Sequence, residues 1–192
     1  FKGHRANTLG LPEWRRLIEA CDHKADDLEP GLAGQLQCEL SWLENSAPAL
    51  KHPLPHGVVH ADLFPDNVFF DGDMLSGVID FYFSCTETWL YDLMITLNAW
   101  CFDAISGLDK NKCGALLKAY HRARPLTSDE LACLPAFGRM AAMRIIATRL
   151  YDLLHPKPGA LGTAKDPLEH VRILRYHQMA HSLEHYGFHE RY

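Results

Sequence analysis

Three short apolar runs between residues 57 and 79 interrupt a chain whose remaining pattern is helical. The runs are Gly57-Val-Val59, Val68-Phe-Phe70 and Met74-Leu-Ser-Gly-Val-Ile79. Asp71-Gly72-Asp73 lies between the last two runs, and this sequence is a strong signal for a tight turn between antiparallel strands. We therefore expect two or three short strands, with a loop over residues 60–67 at one end of a hairpin that turns at Gly72.

Helical patterns dominate on both sides of this region. After Thr86, apolar residues recur with the i, i+3, i+4, i+7 spacing of one helix face: Leu90, Leu93, Met94, Leu97 and Cys101. Other helices are predicted near residues 12–19, 29–45, 110–122, 127–154 and 167–186. Thr127 and Glu130 form a capping-box pattern at the start of the longest helix, and Pro135 is expected to bend it. The predicted fold class is α+β, mainly helical, with a small β-hairpin insert.

Composition limits the kinds of partner. The 192 residues are 47% apolar and 22% charged, which suffices for one sizeable core. The net charge is −5 and no basic stripe occurs, so a nucleic-acid partner is not favoured. No apolar stretch reaches the roughly 20 residues that span a bilayer, and no export leader is visible. The six cysteines are dispersed without a C-x-x-C pair, which predicts free thiols in a cytoplasmic protein. The sequence does not predict an oligomeric state.

The residues between the predicted strands form a pattern that suits phosphoryl transfer. His60, Asp62 and Asn67 fit H-x-D-x4-N, and Asp80-Phe-Tyr82 fits the D-F-x that follows it. The reaction needs a carboxylate to orient the acceptor hydroxyl and take its proton, which is the predicted role of Asp62. Asn67 and Asp80 offer the oxygen ligands that Mg²⁺ prefers. The hairpin is expected to bring these two residues together.

Structural roles are the alternative for each of these residues. His60 is predicted to hydrogen-bond the loop backbone near Asp80 rather than to act as a base. Asp66, beside Asn67, is interpreted as a solvated turn residue. Asp92 opens the next helix, where the helix dipole favours a carboxylate. It is also predicted to accept hydrogen bonds from the backbone of the catalytic loop.

The segments His60–Phe70, Ile79–Tyr82 and Tyr91–Leu93 together resemble the aminoglycoside phosphotransferase-like kinases, whose fold is related to that of protein kinases. Within this family the chain is most similar to the homoserine kinases, through residues 80–85, 91–102, 124–126, 148–152 and 165–168. The resemblance implies transfer of the ATP γ-phosphoryl group to the hydroxyl of L-homoserine, which yields O-phospho-L-homoserine for threonine synthesis. It assigns Asp62 as the catalytic base, Asn67 and Asp80 as Mg²⁺ ligands, and His60 and Asp92 as supports of the loop. A choline or aminoglycoside kinase and a pseudokinase-like binding module are the alternatives.

The family also has an N-terminal lobe that grips the nucleotide. No glycine-rich loop and no strand-borne lysine precede residue 57, and the numbering begins at Phe1 rather than at a methionine. We therefore interpret residues 1–192 as the C-terminal lobe and expect them to be inactive alone.

Candidate acceptor-binding residues come from the helices. Arg144 and Arg149 lie in an otherwise apolar stretch, so each is expected to need a bidentate carboxylate, either of the substrate or of an aspartate such as Asp92 or Asp152. Tyr82 and Asn98 are further candidates for this pocket, as is Trp100, for which a core position is favoured. For His177, His181 and His185 we favour a packing or solvated face over a metal site.

Overall fold

A computed structural model describes residues 3–45, 53–103, 106–156 and 165–189. The helices are α1 Leu11–Cys21, α2 Leu32–Asn45, α3 Trp89–Trp100, α4 Lys110–Ala123, α5 Ser128–Leu154 and α6 Leu168–Met179. The strands are β1 His56–Val59, β2 Val68–Asp71, β3 Met74–Val78, β4 Cys85–Thr88, β5 Phe102–Asp103 and β6 Gly107–Leu108. The protein is therefore mainly helical with small sheets, as the sequence predicts.

Helix α5 is the centre of the core and packs against α1, α3 and α6. The predicted apolar face of α3 is confirmed, because Leu90, Leu93, Met94, Leu97 and Cys101 are all buried. By length and composition α5 would be able to cross a membrane, a feature that the sequence analysis did not anticipate. Most of its apolar stretch is buried inside the protein.

The start of α5 confirms the predicted capping box. Thr127 Oγ1 accepts a hydrogen bond from the Glu130 backbone N–H at 3.2 Å, and the Thr127 N–H donates to Glu130 Oε2 at 2.9 Å. Glu130 is fully buried and also forms an ion pair with Arg124. The helix continues past Pro135 to Leu154.

The predicted hairpin is present. Strands β2 and β3 are antiparallel, with Val68 opposite Val78 and a turn at Gly72, whose φ is +59°. A second pairing was not predicted: β1 lies antiparallel to β4, and His56 is opposite Thr88. Strand β4 contains two threonines and a glutamate, so its sequence lacks the apolar run that marked the other strands.

The last predicted helix is shorter than its pattern suggested. Helix α6 ends at Met179, Ala180 is extended, and a separate 3₁₀ turn covers Leu183–Tyr186. His177 therefore lies on α6, whereas His181 and His185 follow the helix. The three histidines do not share one helix face. Part of the loop predicted after His155 lies outside the described residues.

Candidate active site

The hairpin brings the predicted catalytic residues together. The loop between β1 and β2 begins at His60 and ends in a 3₁₀ turn over Pro65–Asn67. The Ile79 N–H donates to the Asn67 carbonyl at 3.0 Å. Asp80 is the next residue after Ile79, and it therefore lies next to Asn67. Asn67 Nδ2 donates to the Asp62 carbonyl at 2.8 Å and is 3.4 Å from Asp62 Oδ2.

His60 ties the loop to the end of β3, as predicted. Its Nε2 lies 2.9 Å from the Ile79 carbonyl, and its Nδ1 accepts a hydrogen bond from the Asp62 N–H at 3.2 Å. Because a carbonyl only accepts and a backbone N–H only donates, this geometry requires the neutral tautomer with hydrogen on Nε2. Both ring nitrogens are thus occupied by the backbone, and His60 holds the loop in place.

Asp92 braces the same loop from the first turn of α3. Its Oδ1 accepts from the Ala61 N–H at 2.6 Å, and its Oδ2 accepts from the His60 N–H at 3.2 Å. Ala61 has a φ of +63°, a left-handed conformation that costs a residue with a Cβ roughly 1–2 kcal/mol. Burial raises the pKa of Asp92, and the two backbone hydrogen bonds oppose that shift. Asp92 therefore stabilises a strained loop conformation, although the burial of its charge is itself unfavourable.

Arg144 contacts the predicted catalytic base directly. Its Nη1 lies 2.8 Å from Asp62 Oδ1, and its guanidinium lies 4.9 Å from the centre of the Phe83 ring. The Arg144 side chain is 3% exposed and that of Asp62 is 19% exposed. The expected need for a carboxylate partner is met, but by Asp62 rather than by Asp92 or Asp152.

The left-handed backbone of Asp80, with φ +62°, exposes its carboxylate beside the loop. One oxygen, Oδ1, accepts a long 3.4 Å hydrogen bond from the Tyr82 N–H. Since the amide nitrogen of Asn67 is turned towards Asp62, its Oδ1 faces away from that contact. One amide oxygen and one carboxylate at the base of the hairpin are a suitable partial ligand set for Mg²⁺, which usually takes its remaining ligands from water and phosphate.

Comparison with known proteins agrees with this arrangement. The model of a family described as "Phosphotransferase enzyme family" matches residues 2–126. The chain belongs to this family. A curated homoserine kinase from Parvibaculum lavamentivorans is 49% identical over 187 residues, which cover 97% of the chain and 57% of that relative. Homoserine kinases from Rhizobium etli and Brucella anthropi are 47% and 46% identical and cover 97% and 100% of the chain. The chain thus spans little more than half the length of these relatives.

The other acceptor candidates lie in different surroundings. Tyr82 is 73% exposed, and its carbonyl accepts from Arg5 at 2.8 Å. Asn98 is buried, with Nδ2 donating to the Gly138 carbonyl and Oδ1 2.8 Å from His177 Nε2. Arg149 forms an ion pair with Glu169 at 2.8 Å.

Three further residues for which the sequence suggested a role are Trp100, Asp66 and His177. Trp100 is half-buried and donates from Nε1 to the Leu63 carbonyl at 2.9 Å, so it supports the loop instead of lying free in a pocket. Asp66 is exposed and pairs with Lys165 at 3.1 Å, in agreement with a solvated turn residue. His177 is buried against Tyr186. Within the described ranges, no cluster of three or more His, Cys, Asp and Glu side chains could hold a metal ion.

A cavity of about 600 Å³ adjoins the loop that carries Asp62. Phe64 lines it from the loop, Arg149 from α5, and His170 and Arg172 from α6. Neither His170 nor Arg172 was predicted as a functional residue. Both lie beyond the catalytic motif, and a single histidine or arginine in a helical pattern carries no spacing signal. Their position at the cavity follows from the packing of α6 on α5.

Proposed function

We propose that this protein transfers the γ-phosphoryl group of ATP to the side-chain hydroxyl of L-homoserine. The observation that carries the proposal is the joined site of Asp62, Asn67 and Asp80 in a chain that is 46–49% identical to proteins named homoserine kinase. The product would be O-phospho-L-homoserine, an intermediate of threonine synthesis. Cytoplasmic location is part of the same proposal.

Asp62 is the residue that orients the acceptor in this proposal. Its carboxylate is held by Arg144 on one oxygen and approached by Asn67 on the other. Positioning and electrostatic stabilisation supply most of the catalysis of phosphoryl transfer. Asp62 accepts the hydroxyl proton as the new P–O bond forms, and the bond between the γ-phosphorus and the bridging oxygen of ATP breaks to release ADP.

Asn67 and Asp80 are the residues proposed to hold Mg²⁺, because their oxygens are directed away from the contacts that fix the loop. Mg²⁺ held by Asn67 and Asp80 would neutralise negative charge on the phosphate oxygens. Asp62 is not assigned to the metal, because its two oxygens face Arg144 and Asn67.

We also propose that residues 1–192 form the C-terminal lobe of a two-lobed kinase. Large apolar side chains are exposed around the hairpin and the segment after it: Val58, Phe69, Phe70, Met74, Leu75, Ile79, Phe81 and Tyr82. A contiguous exposed apolar surface usually marks an interface. The relatives have additional length that the chain does not span, and a nucleotide-binding lobe in that length would cover this surface and enclose ATP.

A choline or aminoglycoside kinase is the competing proposal within the family. Its acceptor is cationic, and sites for such acceptors use aromatic boxes or acids. The cavity beside the catalytic loop is lined by aromatic rings, by two acids, Asp103 and Glu169, and by three arginines, Arg149, Arg172 and Arg175. The excess of arginines over acids favours an acceptor that carries a carboxylate.

The test is a comparison of acceptors with the full-length protein. ATP-dependent phosphorylation of L-homoserine, L-serine, choline and an aminoglycoside would be followed by ADP release. We expect kcat/KM to be highest for L-homoserine. A higher kcat/KM for choline or the aminoglycoside would replace this proposal by its competitor, and failure of every acceptor to be phosphorylated would favour a pseudokinase.

A further inference from the structure

His170 is a buried histidine without a hydrogen-bond partner. Its side chain is 4% exposed, and neither ring nitrogen has a partner among the described residues. Within the same ranges, the only other buried side-chain atom in this situation is the hydroxyl of Tyr91 on α3. Buried polar groups are nearly always hydrogen-bonded, and the exceptions call for an explanation. His170 is also one of the residues that line the cavity beside the catalytic loop, so a ligand bound there is a candidate for the missing partner.

The surroundings of His170 fix its protonation state. Burial, and to a smaller extent the nearby cations Arg149, Arg144 and Lys165, lower the pKa of His170 to about 3. The ring is therefore neutral at physiological pH, with one N–H donor and one acceptor nitrogen. The charged groups that act on the ring are these three cations, and each has a carboxylate partner: Glu169 for Arg149, Asp62 for Arg144 and Asp66 for Lys165. A neutral donor among cations suits an anionic group of a ligand.

The cavity also lies next to the catalytic loop. Phe64, two residues after Asp62, lines it, and the Phe64 and His170 rings are 6.4 Å apart. Arg144 acts electrostatically on His170 and is bonded to Asp62. An acceptor bound at His170 therefore lies beside the loop that carries Asp62. The volume of about 600 Å³ is within the usual range of roughly 300–1,000 Å³ for ligand pockets.

Arg149 supplies a second donor group to this cavity. One of its nitrogens, Nη1, is used by Glu169 and by the Asp166 carbonyl. Its other N–H groups have no acceptor among the described residues. A guanidinium and a neutral imidazole N–H on one cavity wall can share the two oxygens of a carboxylate.

We propose that His170 is a positioning residue that binds the carboxylate of the amino-acid acceptor, with Arg149 as its partner. This inference rests on the proposed function and adds to it the group that selects an amino acid over a simple amino alcohol. A carboxylate anchored at His170 and Arg149 leaves the hydroxyl end of the acceptor free to extend towards the catalytic loop, which reaches the cavity at Phe64.

The test compares L-homoserine with 3-amino-1-propanol, which has the same hydroxyl and amine but no carboxylate. In the full-length protein, His170→Leu is expected to raise the KM for L-homoserine about 10- to 100-fold, the size expected for a hydrogen bond to a charged group. The KM for ATP and the kcat/KM for 3-amino-1-propanol should stay within about twofold of the wild type. His170→Asn retains an N–H donor and should recover part of the lost affinity.

Tyr91→Phe is the matched control, because it removes the other unpartnered buried polar atom at a different site. It should leave the KM values for both acceptors unchanged. If His170→Leu lowers kcat/KM equally for both acceptors, the residue is only structural and the inference is wrong. If the wild type phosphorylates L-homoserine and His170→Leu leaves its KM unchanged, this inference fails while the proposed function stands. If the wild type does not phosphorylate L-homoserine, the proposed function fails and this inference fails with it.

Discussion

Arg144 and Asp62 form an ion pair between the core helix α5 and the catalytic loop, with Nη1 2.8 Å from Oδ1. The two residues are 82 positions apart in sequence. Arg144 is almost fully buried, whereas the Asp62 side chain remains partly exposed and is accessible to an acceptor hydroxyl. The pair fixes the orientation of the carboxylate, and it connects the base of the proposed reaction to the helix at the centre of the core.

Arg144→Met is therefore expected to lower kcat about 100-fold, the lower end of the range for loss of a positioned acid–base group. Steady-state kinetics with the full-length protein measure this effect. The double variant with Arg144→Met and Asp62→Asn should have a kcat close to that of Asp62→Asn alone, because both substitutions impair the same carboxylate. Arg139→Met is the control, since Arg139 forms a second buried ion pair on α5, with Glu39 at 2.6 Å. It should reduce stability with little change in kcat, and an equal loss of kcat in both variants would contradict the role of Arg144.

Asp92→Asn is expected to affect the free energy of unfolding and kcat differently. The substitution removes a buried charge but leaves one acceptor for two backbone donors, so kcat should fall about 10- to 100-fold. Because the pKa of Asp92 is raised in the folded state, folded protein binds the proton more tightly than unfolded protein does. The wild type therefore loses stability as pH rises from near the ordinary value of 3.8 through the folded pKa.

The measurement is urea unfolding of both proteins between about pH 4 and pH 7. The free energy of unfolding of Asp92→Asn, minus that of the wild type, should increase with pH over this window. A difference that decreases with pH would show that the hydrogen bonds from His60 and Ala61 outweigh burial.

Asn67→Ala should raise the Mg²⁺ concentration needed for half-maximal rate by about tenfold or more, because one proposed oxygen ligand is removed. Titration of Mg²⁺ at saturating ATP measures this shift. Asp66→Asn is a close control: the neighbouring carboxylate is exposed and pairs with Lys165. A similar shift in both variants would indicate a general effect of charge near the loop rather than ligation.

Thr127→Ala tests the stability of the core helix. Loss of the cap should reduce the free energy of unfolding by about 1 kcal/mol. The KM values should not change, because the N-terminus of α5 lies away from the catalytic loop. A stability equal to that of the wild type would mean that Glu130 is held by Arg124 alone.

Much of the site could be predicted because its signals are local. The hairpin turn at Gly72 brings Asp80 back to Asn67, and the contact of His60 with Ile79 follows from the same geometry. Asp92 was predicted as a brace because a carboxylate at a helix start faces the preceding loop.

The remaining features depend on contacts distant in sequence. That Arg144 needs a carboxylate follows from its apolar neighbours, but its choice of Asp62 depends on how α5 packs under the loop. The pairing of β1 with β4 was missed because Cys85–Thr88 has no apolar run. The burial of His170 without a hydrogen-bond partner could not be predicted, because it depends on how α6 packs on α5 and has no local sequence pattern.

The central claim is that Asp62 directs phosphoryl transfer to the hydroxyl of L-homoserine. Phosphorus NMR of the full-length protein with ATP, Mg²⁺ and L-homoserine tests it directly, with the Asp62→Ala variant beside the wild type. The account predicts a phosphate monoester signal of O-phospho-L-homoserine with the wild type and its loss, by a factor of about 100 or more in rate, with Asp62→Ala. Formation of the same ester at an undiminished rate by Asp62→Ala would contradict it.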